Sequence, residues 1–123
     1  MKATYNGIGS VYSDAVIAGD EIYLSGLVSE DWENGELCPG TIEEETDRVL
    51  SNMKKMLMRY GSDMDKLIRV EIFLTDFSER DRMNAVYIRH FDKERMPSRL
   101  CVGVNALAEG CKVEMTAHAY IDR

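Results

Sequence analysis

Two segments near the end of the chain alternate between apolar and polar positions. Over residues 99–104 every second residue is Leu or Val, which places Arg99 and Cys101 on the opposite face of a predicted strand. Over residues 112–121 the same alternation places Glu114 opposite a row of apolar residues. Arg99 and Glu114 are therefore expected on the polar faces of two strands that are joined by a short turn.

Apolar runs bounded by turn residues predict three further strands. They cover residues 15–18, 21–27 and 68–74. The Gly19-Asp20 pair between the first two runs favours a tight hairpin. In the third run, Ile68 and every second residue after it are apolar and are expected to share one face. Residues 1–14 contain glycines that interrupt any pattern, so we interpret them as a loop that carries Tyr12.

Apolar residues at helical spacing predict two helices. They cover residues 41–60 and 78–91. Thr41 followed by Glu44 is the signature of a capping box, and Gly61 stands where a helix commonly ends. In the second helix, Ser78 with Asp81 resembles an N-terminal cap. Each helix has one apolar stripe, so each is expected to pack one face against the sheet.

The predicted elements fit a single domain that spans residues 1–123. Their order is strand, strand, helix, strand, helix, strand, strand. This order allows both helices to lie on one face of a single mixed sheet, which is an α+β fold. The other face is expected to carry the row with Arg99, Cys101 and Glu114. Because that row includes small and semi-apolar side chains, we expect association between chains to cover it.

Composition excludes several classes of function. The net charge of −7 disfavours nucleic acid and anionic membranes as partners. No run is apolar enough to span a membrane and no segment resembles a signal peptide, so we expect a cytoplasmic protein. The three cysteines lack a metal-ligand spacing, so we expect reduced thiols and no metal site.

Arg99 and Glu114 are the strongest candidates for catalytic residues in this pattern. An arginine can hold a carboxylate through two parallel hydrogen bonds, and a glutamate can act as a base toward water. A cross-strand ion pair is the competing interpretation, and spacing alone favours it.

Short motifs along most of the chain occur in an order and spacing typical of one protein family. They are Tyr12-Ser13-Asp14-Ala15-Val16, Tyr23-Leu24-Ser25-Gly26, Gly35-Glu36-Leu37, Phe73-Leu74-Thr75-Asp76, Asn84-Ala85-Val86-Tyr87, Pro97-Ser98-Arg99, Cys101-Val102-Gly103-Val104 and Lys112-Val113-Glu114-Met115. Together they resemble the RidA family, also called YjgF, of reactive-intermediate deaminases. The resemblance implies a chorismate-mutase-like α+β fold and a homotrimer with clefts between its subunits.

The same resemblance implies an activity and its residues. The activity is hydrolysis of 2-iminopropanoate and 2-iminobutanoate, without a cofactor, to 2-oxo acids and ammonia. Arg99 matches the arginine that grips the substrate carboxylate, and Glu114 matches the glutamate that orients or deprotonates the attacking water. Residues implied to line the pocket are Tyr12, Ser25, Gly26 and the main chain around Cys101.

Three departures from the family's pattern leave the identity of the substrate less well defined than the class of reaction. Leu27 and Leu100 stand where many of these deaminases have Gln and a small hydroxyl residue, and His118 stands where an aliphatic residue is usual. Cys101 has no recognisable histidine partner, so a packed or cleft-lining thiol is favoured over a nucleophile. The alternatives are a non-catalytic trimer that binds small carboxylates or regulates a partner enzyme, and, less favoured for so acidic a chain, an endoribonuclease.

Overall fold

A computed structural model describes the backbone of residues 3–5 and the whole of residues 11–122. The strands are β1 (Ala3–Tyr5), β2 (Ala15–Ala18), β3 (Glu21–Val28), β4 (Leu67–Leu74), β5 (Ser98–Gly103) and β6 (Val113–Tyr120). The helices are α1 (Ile42–Arg59) and α2 (Arg80–Tyr87). No helix within the described residues has the length and apolarity needed to cross a bilayer.

The strands form one mixed sheet in the order β1-β2-β3-β6-β4-β5. All neighbours run antiparallel except β4 and β5, which are parallel. Both helices pack on one face, as the order of elements predicts. The core between them consists of buried side chains from α1, α2 and the inward rows of the strands, among them Ile22, Val49, Leu50, Met53, Leu57, Val70, Ile72, Leu74, Met83, Val113 and Met115.

The predicted ends of α1 are confirmed. Thr41 Oγ1 accepts a hydrogen bond from Glu44 N at 3.1 Å, and Glu44 Oε1 accepts one from Thr41 N at 2.9 Å. This reciprocal pair satisfies two backbone donors that the first turn leaves free. Gly61 follows the last turn with a φ of 89°, a conformation that costs glycine little.

The second helix is shorter than predicted. Its region is divided into a 3₁₀ turn over Phe77–Glu79, the α-helix α2 and a second 3₁₀ turn over Ile88–His90. The cap is Asp76, whose Oδ1 accepts hydrogen bonds from Ser78 N and Ser78 Oγ. An aspartate that caps a tight turn takes the place of the predicted Ser78–Asp81 cap.

Two details of the strands also differ from the prediction. Ala3–Tyr5 forms a strand in the region interpreted as a loop, because it pairs with β2, a contact between distant residues that local pattern does not report. Ile68, predicted to face the core, is 39% exposed, and Leu67 is buried in its place. A bulge between Leu67 and Arg69 shifts the alternation by one residue at the start of β4.

The face of the sheet that carries Arg99 is the reverse of the predicted one. Arg99 pairs with Val70, and Cys101 pairs with Ile72. Paired residues point to the same side of a sheet, and both Val70 and Ile72 are fully buried under the helices. Arg99 and Cys101 therefore lie on the helix-covered face.

Glu114 lies on the opposite, uncovered face. It pairs with Phe73 of β4, one position out of phase with the inward row, and with Val28 of β3. Because β4 also separates β5 from β6, the two strands joined by residues 104–112 are not neighbours. The cross-strand ion pair between Arg99 and Glu114 is therefore excluded.

Candidate active site

The Arg99 side chain is held in place by α2. Its Nη1 donates a hydrogen bond of 2.7 Å to Asn84 Oδ1, and its guanidinium carbon lies 5.0 Å from the centroid of the Tyr87 ring. An amide acceptor and an aromatic face together fix both the direction and the plane of a guanidinium. These residues line an open cavity of about 230 Å³ together with Ile88, Met96 and Pro97.

The surroundings of Arg99 suit a bound anion. Burial raises the pKa of Tyr87 to about 12, and the nearby Arg99 charge opposes only part of that effect. Burial also raises the pKa of the Cys101 thiol, against the opposing charges of Arg99 and Arg80. Both acids are therefore neutral near pH 7, so neither cancels the positive charge of the Arg99 guanidinium.

Glu114 is packed against a glycine of the neighbouring strand. A Cβ added at Gly26 would lie 2.5 Å from Glu114 Oε2 and 2.9 Å from Cδ. Real side chains do not approach so closely, so only glycine at position 26 admits the carboxylate in this place. The absence of a side chain at Gly26 therefore leaves room for the Glu114 carboxylate.

A bulge in β3 produces this arrangement. The register with β6 shifts between Leu24 and Leu27, which leaves Ser25 and Gly26 outside the regular alternation. Ser25 N donates to Asp14 O at 3.0 Å and Ser25 Oγ donates to Ser13 O at 2.5 Å. These two bonds fasten the segment that precedes β2 to the bulge.

A second cavity, of about 220 Å³, lies beside the bulge. It is lined by Tyr12, Ser25 and Gly26, and it extends to Glu30, Trp32 and Arg59 among others. Burial, and then the charge of Asp14, raise the pKa of Glu30. Three of the four residues predicted to line the pocket therefore lie together.

The predicted site residues thus form two groups on opposite faces of the sheet. Arg99 and Cys101 lie on the face covered by α2, whereas Glu114 lies on the uncovered face, next to Gly26 and close to Ser25. A single small substrate cannot contact Arg99 and Glu114 of one chain, because the sheet stands between them.

Sequence reasoning missed the part that Asn84 and Tyr87 play in holding Arg99. Tyr87 belongs to the buried core, so its apolar ring alone accounts for its place in the helical pattern. The available signal is their spacing of three residues, which places both side chains on one side of α2.

Within residues 11–122, no cluster of three His, Cys, Asp or Glu side chains is arranged to hold a metal ion.

Comparison with known proteins identifies the family. The family model described as Endoribonuclease L-PSP matches residues 7–121. A RutC family protein of Pyrococcus abyssi is 35% identical over 109 residues, which cover 89% of this chain and 85% of that protein. The 2-iminobutanoate/2-iminopropanoate deaminase of Homo sapiens is 32% identical over 108 residues, which cover 88% of this chain and 78% of the human protein.

Solved structures agree with the sequence relatives. The yeast Mmf1 structure matches with a TM-score of 0.89 at 28% identity, over 98% of this chain and all of that one (100%). RidA from the Antarctic bacterium Psychrobacter matches with a TM-score of 0.85 at 29% identity, over 95% of this chain and 94% of that one. With the matched fold, the sequence relatives and the family model all in agreement, the chain belongs to the RidA/YjgF family.

Proposed function

We propose that the protein hydrolyses small 2-imino acids, such as 2-iminopropanoate and 2-iminobutanoate, to 2-oxo acids and ammonia. The observation that carries the proposal is the Arg99 guanidinium, which Asn84 and Tyr87 orient at the wall of an open cavity. A guanidinium that is held in one orientation at a cavity wall is better suited to binding a small carboxylate than to a purely structural role. The human relative named as such a deaminase supports the choice of reaction.

Each residue has a separate task in this reaction. Arg99 binds the substrate carboxylate, and Glu114 accepts a proton from water as the water oxygen adds to the imine carbon. The carbinolamine, formed from the protonated imine, then takes up on its nitrogen the proton that Glu114 holds, the carbon–nitrogen bond breaks, ammonia leaves with the electron pair, and the hydroxyl proton is released as the carbonyl forms. An imine is already electrophilic, so positioning and proton transfer are sufficient for the reaction.

The position of the two residues requires more than one chain for a complete site. Since Arg99 and Glu114 of one chain face opposite sides of the sheet, a substrate that contacts both takes them from different subunits. The uncovered face presents Tyr23, Arg69, Glu71, Thr116 and His118 around a cavity of about 380 Å³. Association into a homotrimer would cover that face and bring the Arg99 of one subunit to the Glu114 of the next.

Cys101 is a lining residue in this proposal. Its thiol has a raised pKa through burial, whereas a nucleophilic cysteine needs a lowered one. Its contribution is packing beside Arg99 and the main chain of β5.

A coupled assay tests the proposal. An amino-acid oxidase generates imines from a panel of amino acids, and the imine remaining is trapped with semicarbazide in the presence and absence of the protein. We expect the protein to suppress semicarbazone formation for alanine and 2-aminobutanoate. Unchanged trapping with purified trimeric protein, together with binding of 2-oxobutanoate, would instead favour the non-catalytic carboxylate-binding alternative.

A further inference from the structure

Glu45 is a fully buried carboxylate that has no task in the proposed reaction. It lies in the first turn of α1 with an exposed fraction of 0%. Glu45 Oε2 accepts a hydrogen bond from Gly40 N at 3.0 Å, and Oε1 accepts one from Lys112 N at 2.7 Å. The Lys112 ammonium lies 3.7 Å from Oε2. Burial of a carboxylate is costly unless it is paired and hydrogen-bonded, so these contacts are what allow Glu45 to occupy the site.

These contacts join two connections that are distant in the chain. One is the loop that leads into α1, and the other is the connection between β5 and β6. They also lie close together, since a Cβ added at Gly110 would be 3.6 Å from Pro39 Cβ. The Lys112 peptide is held from both sides, because its carbonyl accepts a hydrogen bond of 3.1 Å from Thr75 N. Glu45 thus fixes the main chain at the point where β6 begins.

Glu114 follows Lys112 by two residues, a distance of about 7 Å along an extended strand. Its carboxylate fits against Gly26 with so little clearance that a single added carbon at Gly26 would clash. Because Glu114 lies only two residues after Lys112 on the same strand, a small displacement of the start of β6 would also move the Glu114 carboxylate. Reactions that depend on an oriented water are sensitive to displacements of this size.

We propose that Glu45 is a positioning residue for the reaction proposed above: by binding the main chain of Gly40 and Lys112 at once, it fixes the start of β6 and with it the place of Glu114. The inference rests on the proposed function. Both carboxylate oxygens are needed, because each accepts from a different loop. Glu45→Gln keeps the size of the side chain but replaces one acceptor with an NH₂ group, which then faces a backbone N–H donor.

The test compares Glu45→Gln with Ser62→Ala. Ser62 is also buried and its Oγ donates a hydrogen bond of 2.7 Å to Tyr120 O, so it fastens β6 at the opposite end. For each variant we would measure imine-hydrolysis kcat, 2-oxobutanoate affinity, melting temperature and amide hydrogen exchange. If Glu45→Gln does not fold, Glu45→Asp replaces it, because it keeps the charge but is one methylene too short to reach both loops.

We expect Glu45→Gln to lower kcat by roughly 10- to 100-fold, to leave 2-oxobutanoate affinity nearly unchanged and to speed exchange at Lys112 and Glu114. Ser62→Ala is expected to lower the melting temperature without this loss of kcat. Equal kcat in the two variants at comparable stability would overturn the positioning role. If the wild-type protein shows no turnover, the proposed function fails, and the inference is decided by exchange alone: unchanged exchange at Lys112 and Glu114 in Glu45→Gln overturns it.

Discussion

At the scale of single residues, function depends on how a side chain is held as much as on its type. Arg99 is fixed by an amide acceptor on one side and an aromatic face on the other. The Glu114 carboxylate fits beside residue 26 because that residue is a glycine and has no side chain. Because their surroundings differ, substitutions of Arg99 and of Glu114 should affect the reaction in different ways.

The first prediction separates binding from proton transfer. Arg99→Lys keeps the charge but loses the planar fork, so both 2-oxobutanoate affinity and kcat/KM should fall. Glu114→Gln should lower kcat by roughly 10²- to 10⁴-fold while 2-oxobutanoate still binds, because only basicity is lost. Steady-state kinetics and calorimetric titration of the two variants check this. Nearly normal turnover in both would remove the pair from the mechanism.

The second prediction concerns the Cys101 thiol. Because burial raises its pKa above the ordinary value of 9.0, the thiolate fraction near pH 8 is small, and iodoacetamide should modify Cys101 slowly there and faster as the pH rises. Cys101→Ser should keep most activity. Mass spectrometry of the modified peptide as a function of pH and the kcat of the variant are the measurements. A loss of activity as large as that of Arg99→Lys, in a folded protein, would instead identify Cys101 as a nucleophile.

At the scale of elements, the bulge in β3 and the start of β6 together determine where Glu114 lies. The bulge removes Ser25 and Gly26 from regular pairing and binds them to the segment before β2. The β6 strand presents Glu114 to the gap that results. Neither strand forms this arrangement alone.

The third prediction follows from that gap. Gly26→Ala puts a methyl group where Glu114 Oε2 lies 2.5 Å away, so the carboxylate must move and kcat should fall by roughly 10- to 100-fold. Gly103→Ala is the matched control, since its added carbon would meet Phe77 Cβ at 3.5 Å, an ordinary contact. Kinetics and melting curves of both variants test the difference. Equal effects of the two substitutions would mean that loss of glycine flexibility, and not displacement of Glu114, is responsible.

At the scale of the whole molecule, one sheet carries the two proposed catalytic residues on opposite faces. The helix-covered face presents Arg99 at the outer strand β5, and the other face presents Glu114 near the middle of the sheet. Arg99 lines a cavity with Asn84 and Tyr87, whereas the Glu114 carboxylate packs against Gly26. In the proposed trimer, one contact repeated by symmetry would bring Arg99 of each subunit to Glu114 of the next.

The fourth prediction uses this division. Sedimentation equilibrium should give about three times the 14.0 kDa mass of the chain. Arg99→Ala and Glu114→Gln proteins, each nearly inactive, should regain activity when they are unfolded together and refolded as mixed trimers. Roughly a quarter of the sites in an equal mixture would then combine an intact Arg99 with an intact Glu114. No recovery, with mixed trimers shown by mass spectrometry, would mean that one chain supplies both residues.

The sequence by itself determined the features that depend on neighbours in the chain. The capping box of Thr41, the Gly61 end, most strand positions and the family motifs with Arg99 and Glu114 are local, and hydrogen bonding and side-chain periodicity within a few residues fix them. The tertiary structure decided which face of the sheet Arg99 occupies. A period of two residues fixes which side chains alternate but not which row faces the helices, and on the outer strand β5 both rows are partly apolar, with Leu100 38% exposed. The contacts of Glu114 with Gly26, of Arg99 with Asn84 and of Glu45 with Lys112 join residues far apart in the chain, so they exist only once the whole sheet has formed.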